Sequence, residues 1–158
     1  MTDPLVRQAN TLVSAAQIQA VGSYTPLVDR FRLLKTANID SWDFIVTIAC
    51  VFVGTKRLAD LRLDAARESA LMDIVTQRLA AWAPDGVSAL DDCKRMYEHE
   101  ASRLIAAGHD PNFVASDALG RWIVWNVFNR QPSTEPELAM SRGIGVSAVS
   151  AFFSWWSV

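Results

Sequence analysis

The stretch Phe44-Ile45-Val46-Thr47-Ile48-Ala49-Cys50-Val51-Phe52-Val53 decides the fold class of this chain. Its β-branched residues Ile45, Val46, Ile48, Val51 and Val53 suit a buried strand as well as a buried helix. A strand, however, needs a partner. Only Trp122 to Phe128 and Val146 to Phe153 have a similar composition, and both fit helix-length frames bounded by capping residues. Ser41 is placed to cap a helix over this stretch, with Asp43 in its first turn and Lys56 and Arg57 in its last, both signs favourable to the helix dipole. The all-α reading therefore leads and an α+β fold is the runner-up. The run is about half a bilayer span when helical, which makes it core and not membrane.

Working outward, the chain reads as one domain over residues 1–158, an orthogonal bundle of about six helices. Asp3 as N-cap and Pro4 at N1 start a first helix that Gly22 should stop, and Thr25-Pro26 should open a short second helix ending near Thr36. Leu71, Ile74, Val75, Leu79 and Trp82 mark one helical face within the stretch from Leu58 to Trp82. Ser88 is read as opening the next helix, in which Leu90, Cys93, Tyr97, Ala101, Leu104 and Ile105 share a face until Gly108. Asp110-Pro111 then signals a helix to about Arg130. Its large apolar residues point in nearly every direction, so this helix should be the buried, central one. The last helix should carry Val146, Val149, Phe152, Phe153 and Trp156 docked on the domain.

Composition narrows function by exclusion. The 158 residues are 51% hydrophobic and 20% charged, which fits a folded core and argues against disorder or a charged coiled coil. Fifteen basic residues against seventeen acidic ones, a formal net charge of −2, create no field that gathers phosphate backbones, so no nucleic-acid partner is expected. Cys50 and Cys93 lie far apart in sequence and read as reduced thiols. Residues 1–8 show no basic segment followed by an apolar run, and a cytoplasmic location is the expectation.

Among possible metal ligands, Asp91, Asp92, Cys93, Glu98, His99 and Glu100 are the densest set. Helical projection turns His99 and Asp92 toward solvent, at about 180° and 200° from Leu90, and puts Glu100 at the margin of burial, where an arginine partner is expected. Neither a Glu-x-x-His nor a His-Glu-x-x-His pattern occurs, and no metal or other cofactor is expected.

Two short resemblances stand out. Arg103 and His109 form Arg-x5-His, which faintly resembles the active-site motif of the HEPN ribonucleases, small all-helical domains that usually act as dimers. Leu104 stands where that family often has a polar residue, and Gly108-His109 reads as a helix C-terminus. The segment from Leu138 to Val149 resembles a helix-turn-helix, with Ala139 as the small residue, Gly143 as the turn glycine, and Ile144 and Val149 at the later apolar positions. Arg142 takes the place of an apolar residue there. The helix that would enter a groove offers Ser147, Ala148, Ser150, Ala151 and Ser154, none of which pairs bidentately with base edges, so the reading is a helical corner without DNA.

On the central helix, Asp117 and Arg121 are spaced i and i+4 and are expected to pair. With Trp122, Trp125 and Asn126 they form the candidate ligand-binding set, an apolar lining with a few directed polar groups. Six tryptophans and seven phenylalanines favour a non-enzymatic protein-interaction domain, an adaptor, inhibitor or assembly subunit that binds another protein or itself. The small-residue face Ser147, Ser150, Ala151 and Ser154 is the candidate interface. The alternative is a small-molecule binder or enzyme with a pocket beside residues 111–130.

Overall fold

Residues 44–53 are helical. They lie inside α2 (Ile39–Asp60), and the ten positions from Ile45 to Gly54 are all buried. β-branched residues lower helix propensity only slightly, and burial on every side outweighs that cost. The structure, a computed structural model, describes residues 3–157. Among these there are six helices and no strand: α1 (Pro4–Arg30), α2, α3 (Ala65–Trp82), α4 (Gly86–Ala106), α5 (Val114–Phe128) and α6 (Glu135–Phe152), with 3-10 turns at Arg32–Thr36 and Pro111–Phe113. The protein is an all-α helical bundle, and none of its described helices is long and apolar enough to cross a membrane.

The sequence expectation of a central helix over 111–130 holds in part. Most of α5 is buried, but α2 is the element that touches all five other helices. Asp110 caps a 3-10 turn that leads into α5, and Asn129, at φ 57°, ends it in the left-handed conformation. α5 packs on α6 more extensively than on any other element. Their crossing is made of small residues: a Cβ on Gly120 would overlap the Ser141 carbonyl, and one on Gly145 would overlap the Ser116 carbonyl.

Several boundaries differ from the sequence reading, each for a tertiary reason. α1 runs through Gly22 and Pro26 to Arg30, with no second helix starting at Thr25-Pro26. Gly22 and Pro26 both face solvent, where the carbonyl freed by proline can be hydrated. Burial of Ser23 and Leu27, and the Trp42 indole donating to the Ala20 carbonyl at 2.9 Å, hold the helix on course. Asn38, not Ser41, caps α2, accepting from the Ser41 amide. Leu58 belongs to α2, and Asp64 caps a separate α3 by accepting from the Arg67 amide. α4 starts at Gly86, before Ser88, and Ile105 is exposed, off the buried face that its spacing predicts.

The helix-turn-helix resemblance does not survive, and neither does the helical corner. Leu138 to Val149 lie within the single helix α6, which Thr134 and Glu137 start with a reciprocal capping box. Gly143 and Gly145 admit Phe31 and α5 to close packing instead of forming a turn. At the carboxyl end α6 stops at Phe152. Phe152 and Trp156 are buried as expected, but Val146 is exposed within α6, and Phe153 is exposed where residues 153–157 leave the helix and run back onto α1 and α2. There the Trp156 indole donates to the Gly54 carbonyl at 2.8 Å, and the Gln8 amide donates to the Trp155 carbonyl at 2.7 Å. Cys50 and Cys93 are buried free thiols.

Candidate functional site

Two clefts flank the middle of α5, and Arg121 lines both. The first, about 460 Å³, lies between α4, α5 and the segment after α5. Its floor and wall are Trp122, which is buried, and Trp125, which is 39% exposed. Its charged edge is built on Glu100. That carboxylate accepts from Arg103 through both Nε and Nη2, and from Arg121 Nη1 at 2.9 Å. The Arg103 hydrogen bond, joined by that of Arg121, holds the Glu100 carboxyl below its ordinary value against the opposing effect of burial. Glu100 thus takes the arginine partner its marginal position on α4 predicts, and takes two.

The expected pairing of Asp117 with Arg121 is not made. Asp117 is buried and turns to the other side of α5, where Arg142 of α6 grips it with Nε at 2.9 Å and Nη2 at 2.8 Å. His109 Nε2 lies 2.6 Å from Asp117 Oδ2. Burial alone would raise this carboxyl. The hydrogen bonds and charges of Arg142 and His109 outweigh it and hold the group below its ordinary value. Arg142 itself lies over the Phe113 ring, 3.9 Å from the centroid. This cluster borders the second cleft, about 540 Å³, which also meets Arg30 and Phe31 at the end of α1.

The five candidate binding residues are therefore divided. Arg121, Trp122 and Trp125 line the first cleft, and Asp117 lines the second. Asn126 lines neither and donates to the Trp122 carbonyl one turn back on its own helix. Trp122 spends its indole donor on Asp92 at 3.1 Å, so Asp92 is half-buried where solvent was expected, whereas His99 is exposed as projected. Arg103 and His109 line different clefts, so the Arg-x5-His spacing does not assemble one site. Of the candidate interface, Ser150, Ala151 and Ser154 are exposed and Ser147 is half-buried. Sequence reasoning missed Arg142 as a site residue. Its signal was a charge where the helix-turn-helix pattern wanted an apolar side chain.

No family model, no curated protein and no solved structure matches the chain.

Proposed function

We propose that this is a ligand-binding domain whose site is the tryptophan-lined cleft, and that it takes a small, flat aromatic molecule carrying one anionic group. The observation behind this reading is the state of Arg121. Its Nη1 is bonded to Glu100, while Nε and Nη2 have no partner among the described residues, and neither is fully buried. Beside them a Trp125 ring is open to solvent. An oxyanion can take the free donors of a guanidinium already fixed in orientation, and a planar ring can stack on the indole. A volume of about 460 Å³ is in the usual range for small-molecule sites, and the mixture of apolar wall and few polar groups is typical of them. A panel of aromatic carboxylates, each paired with its neutral amide, tests this by tryptophan fluorescence. The carboxylates should bind at least about tenfold more tightly than the amides; Arg121→Gln should remove that difference, and Trp125→Ala should weaken both members of each pair alike. Equal binding of both members of each pair would discard the reading.

A second reading, self-association, is favoured by one observation. The exposed face of α6 that carries Ser150 and Ala151 is bordered by Val146 and Phe153, both also exposed. Small residues allow another helix to approach closely, and the two large side chains would supply the buried area. Light scattering over a range of concentrations, with Ser150→Glu and Ala151→Glu as the disrupting pair, decides it. A wild-type mass equal to one chain at every concentration eliminates this second reading.

A further inference from the structure

Twenty-one consecutive residues of α1, from Gln8 to Val28, include no charged side chain. A helix that faces water along one side normally carries charge there, as α3 and α4 do with Arg67, Asp73, Lys94 and Glu98. α1 instead exposes Ile18 at 74% and Val21 at 63%. The exposed side is also symmetric about Ile18. Ser14 and Gly22, Thr11 and Thr25, and Arg7 and Asp29 stand in pairs at equal distances to either side of it, and at about 100° per residue all six point within about 40° of it. All six are exposed. The charge-free stretch is thus bounded by Arg7 and Asp29, opposite charges about 33 Å apart at the rise of an α-helix. Neither forms an ion pair among the described residues.

We propose that this face binds a second copy of the chain, α1 against α1, antiparallel about a two-fold axis beside Ile18. The pattern selects both the occupant and its direction. A two-fold contact presents the same patch from both sides, so each feature must find its match on its own face. Turned antiparallel, Ile18 meets the partner's Ile18, Thr11 comes level with the partner's Thr25, and Arg7 meets the partner's Asp29 at both ends of the contact. A parallel pairing would set arginine against arginine and aspartate against aspartate. A Cβ at Gly22 would touch nothing within 4 Å, so its absence leaves room for the approaching helix. Pro26 has no N–H, so the Gly22 carbonyl lacks its helical donor, and the antiparallel register brings the partner's Ser14 hydroxyl to that level. One helix from each copy makes a small interface, so the dimer should be weak, forming at about 10–100 μM. It uses no residue of the two clefts or of the α6 face.

Sedimentation equilibrium from about 1 to about 500 μM should show the mass rising from one chain to two, and Ile18→Glu should weaken the dimer at least about tenfold. Arg7→Glu and Asp29→Arg each bring like charges together and should weaken it several-fold. The two combined restore the pairs with signs exchanged and should recover it. Glutamate near the amino end of α1 and arginine near its carboxyl end also suit the helix dipole, so folding is kept. Cysteine linking reads the register, and Cys50 and Cys93, being buried, do not compete. With a mild oxidant, Ile18→Cys should link to its own copy. Thr11→Cys should link to Thr25→Cys in a mixture and neither to itself, because the two copies of each position lie about 21 Å apart, beyond the reach of a disulfide. A mass of one chain throughout, a dimer that Ile18→Glu leaves as tight as before, charge reversals that the double variant does not repair, or Thr11→Cys linking to its own copy would each overturn the inference. A dimer dissolved by Ser150→Glu with Ala151→Glu but not by Ile18→Glu would overturn it too, in favour of the α6 face.

Discussion

Gly120 of α5 and Gly145 of α6 pack backbone against backbone, and the exchange is reciprocal: each glycine takes the position where a side chain would strike the carbonyl of the serine four residues before the other. The two helices that flank the second cleft are thereby fixed at their closest point. That closeness lets Arg142 reach Asp117 with two hydrogen bonds.

Alanine at either glycine should therefore cost more than its better helix propensity returns. Overpacking of a close crossing typically costs about 1–3 kcal/mol, and here the obstacle is backbone, which yields less than a flexible side chain. Urea unfolding of Gly120→Ala and Gly145→Ala measures the loss. Stability equal to wild type in both would mean that the helices are not this close.

The partner of Asp117 can be identified by double-mutant cycles. Asp117→Ala should destabilise by about 1–3 kcal/mol, since it leaves His109 and the part-exposed Arg142 without their carboxylate. Combined with Arg142→Ala, the loss should be well short of additive. Combined with Arg121→Ala it should be near additive, because Arg121 spends its bond on Glu100. The reverse pattern would restore the intrahelical pair.

Acid should weaken the fold in part through the two carboxylates that border the clefts. Asp117 and Glu100 are held below their ordinary values of 3.8 and 4.5, so as pH falls the unfolded chain takes up these protons before the folded one does. The stability they contribute is fully present above the ordinary values and is lost as pH falls through the depressed ones. A plot of unfolding free energy against pH should be level with respect to these groups above about pH 5 and decline below about pH 4. In Asp117→Asn the decline should be shallower, and an unchanged slope would remove Asp117 from the account.

The thiols should be inert in the native state. Burial pushes Cys50 up to about 12 and Cys93 well above its ordinary value, so neither supplies thiolate at neutral pH. Ellman's reagent should label them only as fast as the protein opens, and both should react promptly in denaturant. Rapid labelling of the folded protein would contradict their burial.

Removing residues 152–158 takes away Phe152 and Trp156, two buried aromatic side chains worth roughly 1.5–3 kcal/mol each. The truncated chain should melt well below the full one. An unchanged midpoint in a thermal scan would show the segment to be dispensable.

Local signals were legible wherever one residue decides the backbone. Asp3-Pro4, Gly108 and Asp110-Pro111 mark starts and stops in both sequence and structure, because capping and left-handed geometry depend on near neighbours. The same signals misled at Gly22-Ser23-Tyr24-Thr25-Pro26, where the docked Trp42 keeps α1 going, and at Gly143, where a glycine serves packing. The candidate site suffered more. Spacing along one helix proposes Arg121 for Asp117, but the true partner is 25 residues away on another helix, and helical periodicity carries no information about that approach.

The hydrogen bonds that tie Gln8 to Trp155 and Ser157 join residues nearly the whole described chain apart. They turn a linear sequence into something close to a ring. Fraying, which in most helical proteins begins independently at each end, is here a single event: the first turns of α1 cannot loosen without releasing the aromatic tail, and the tail cannot lift without exposing α1 and α2. Amide hydrogens on these two distant stretches should accordingly exchange with one shared opening free energy, as one cooperative unit defined by space and not by position along the sequence.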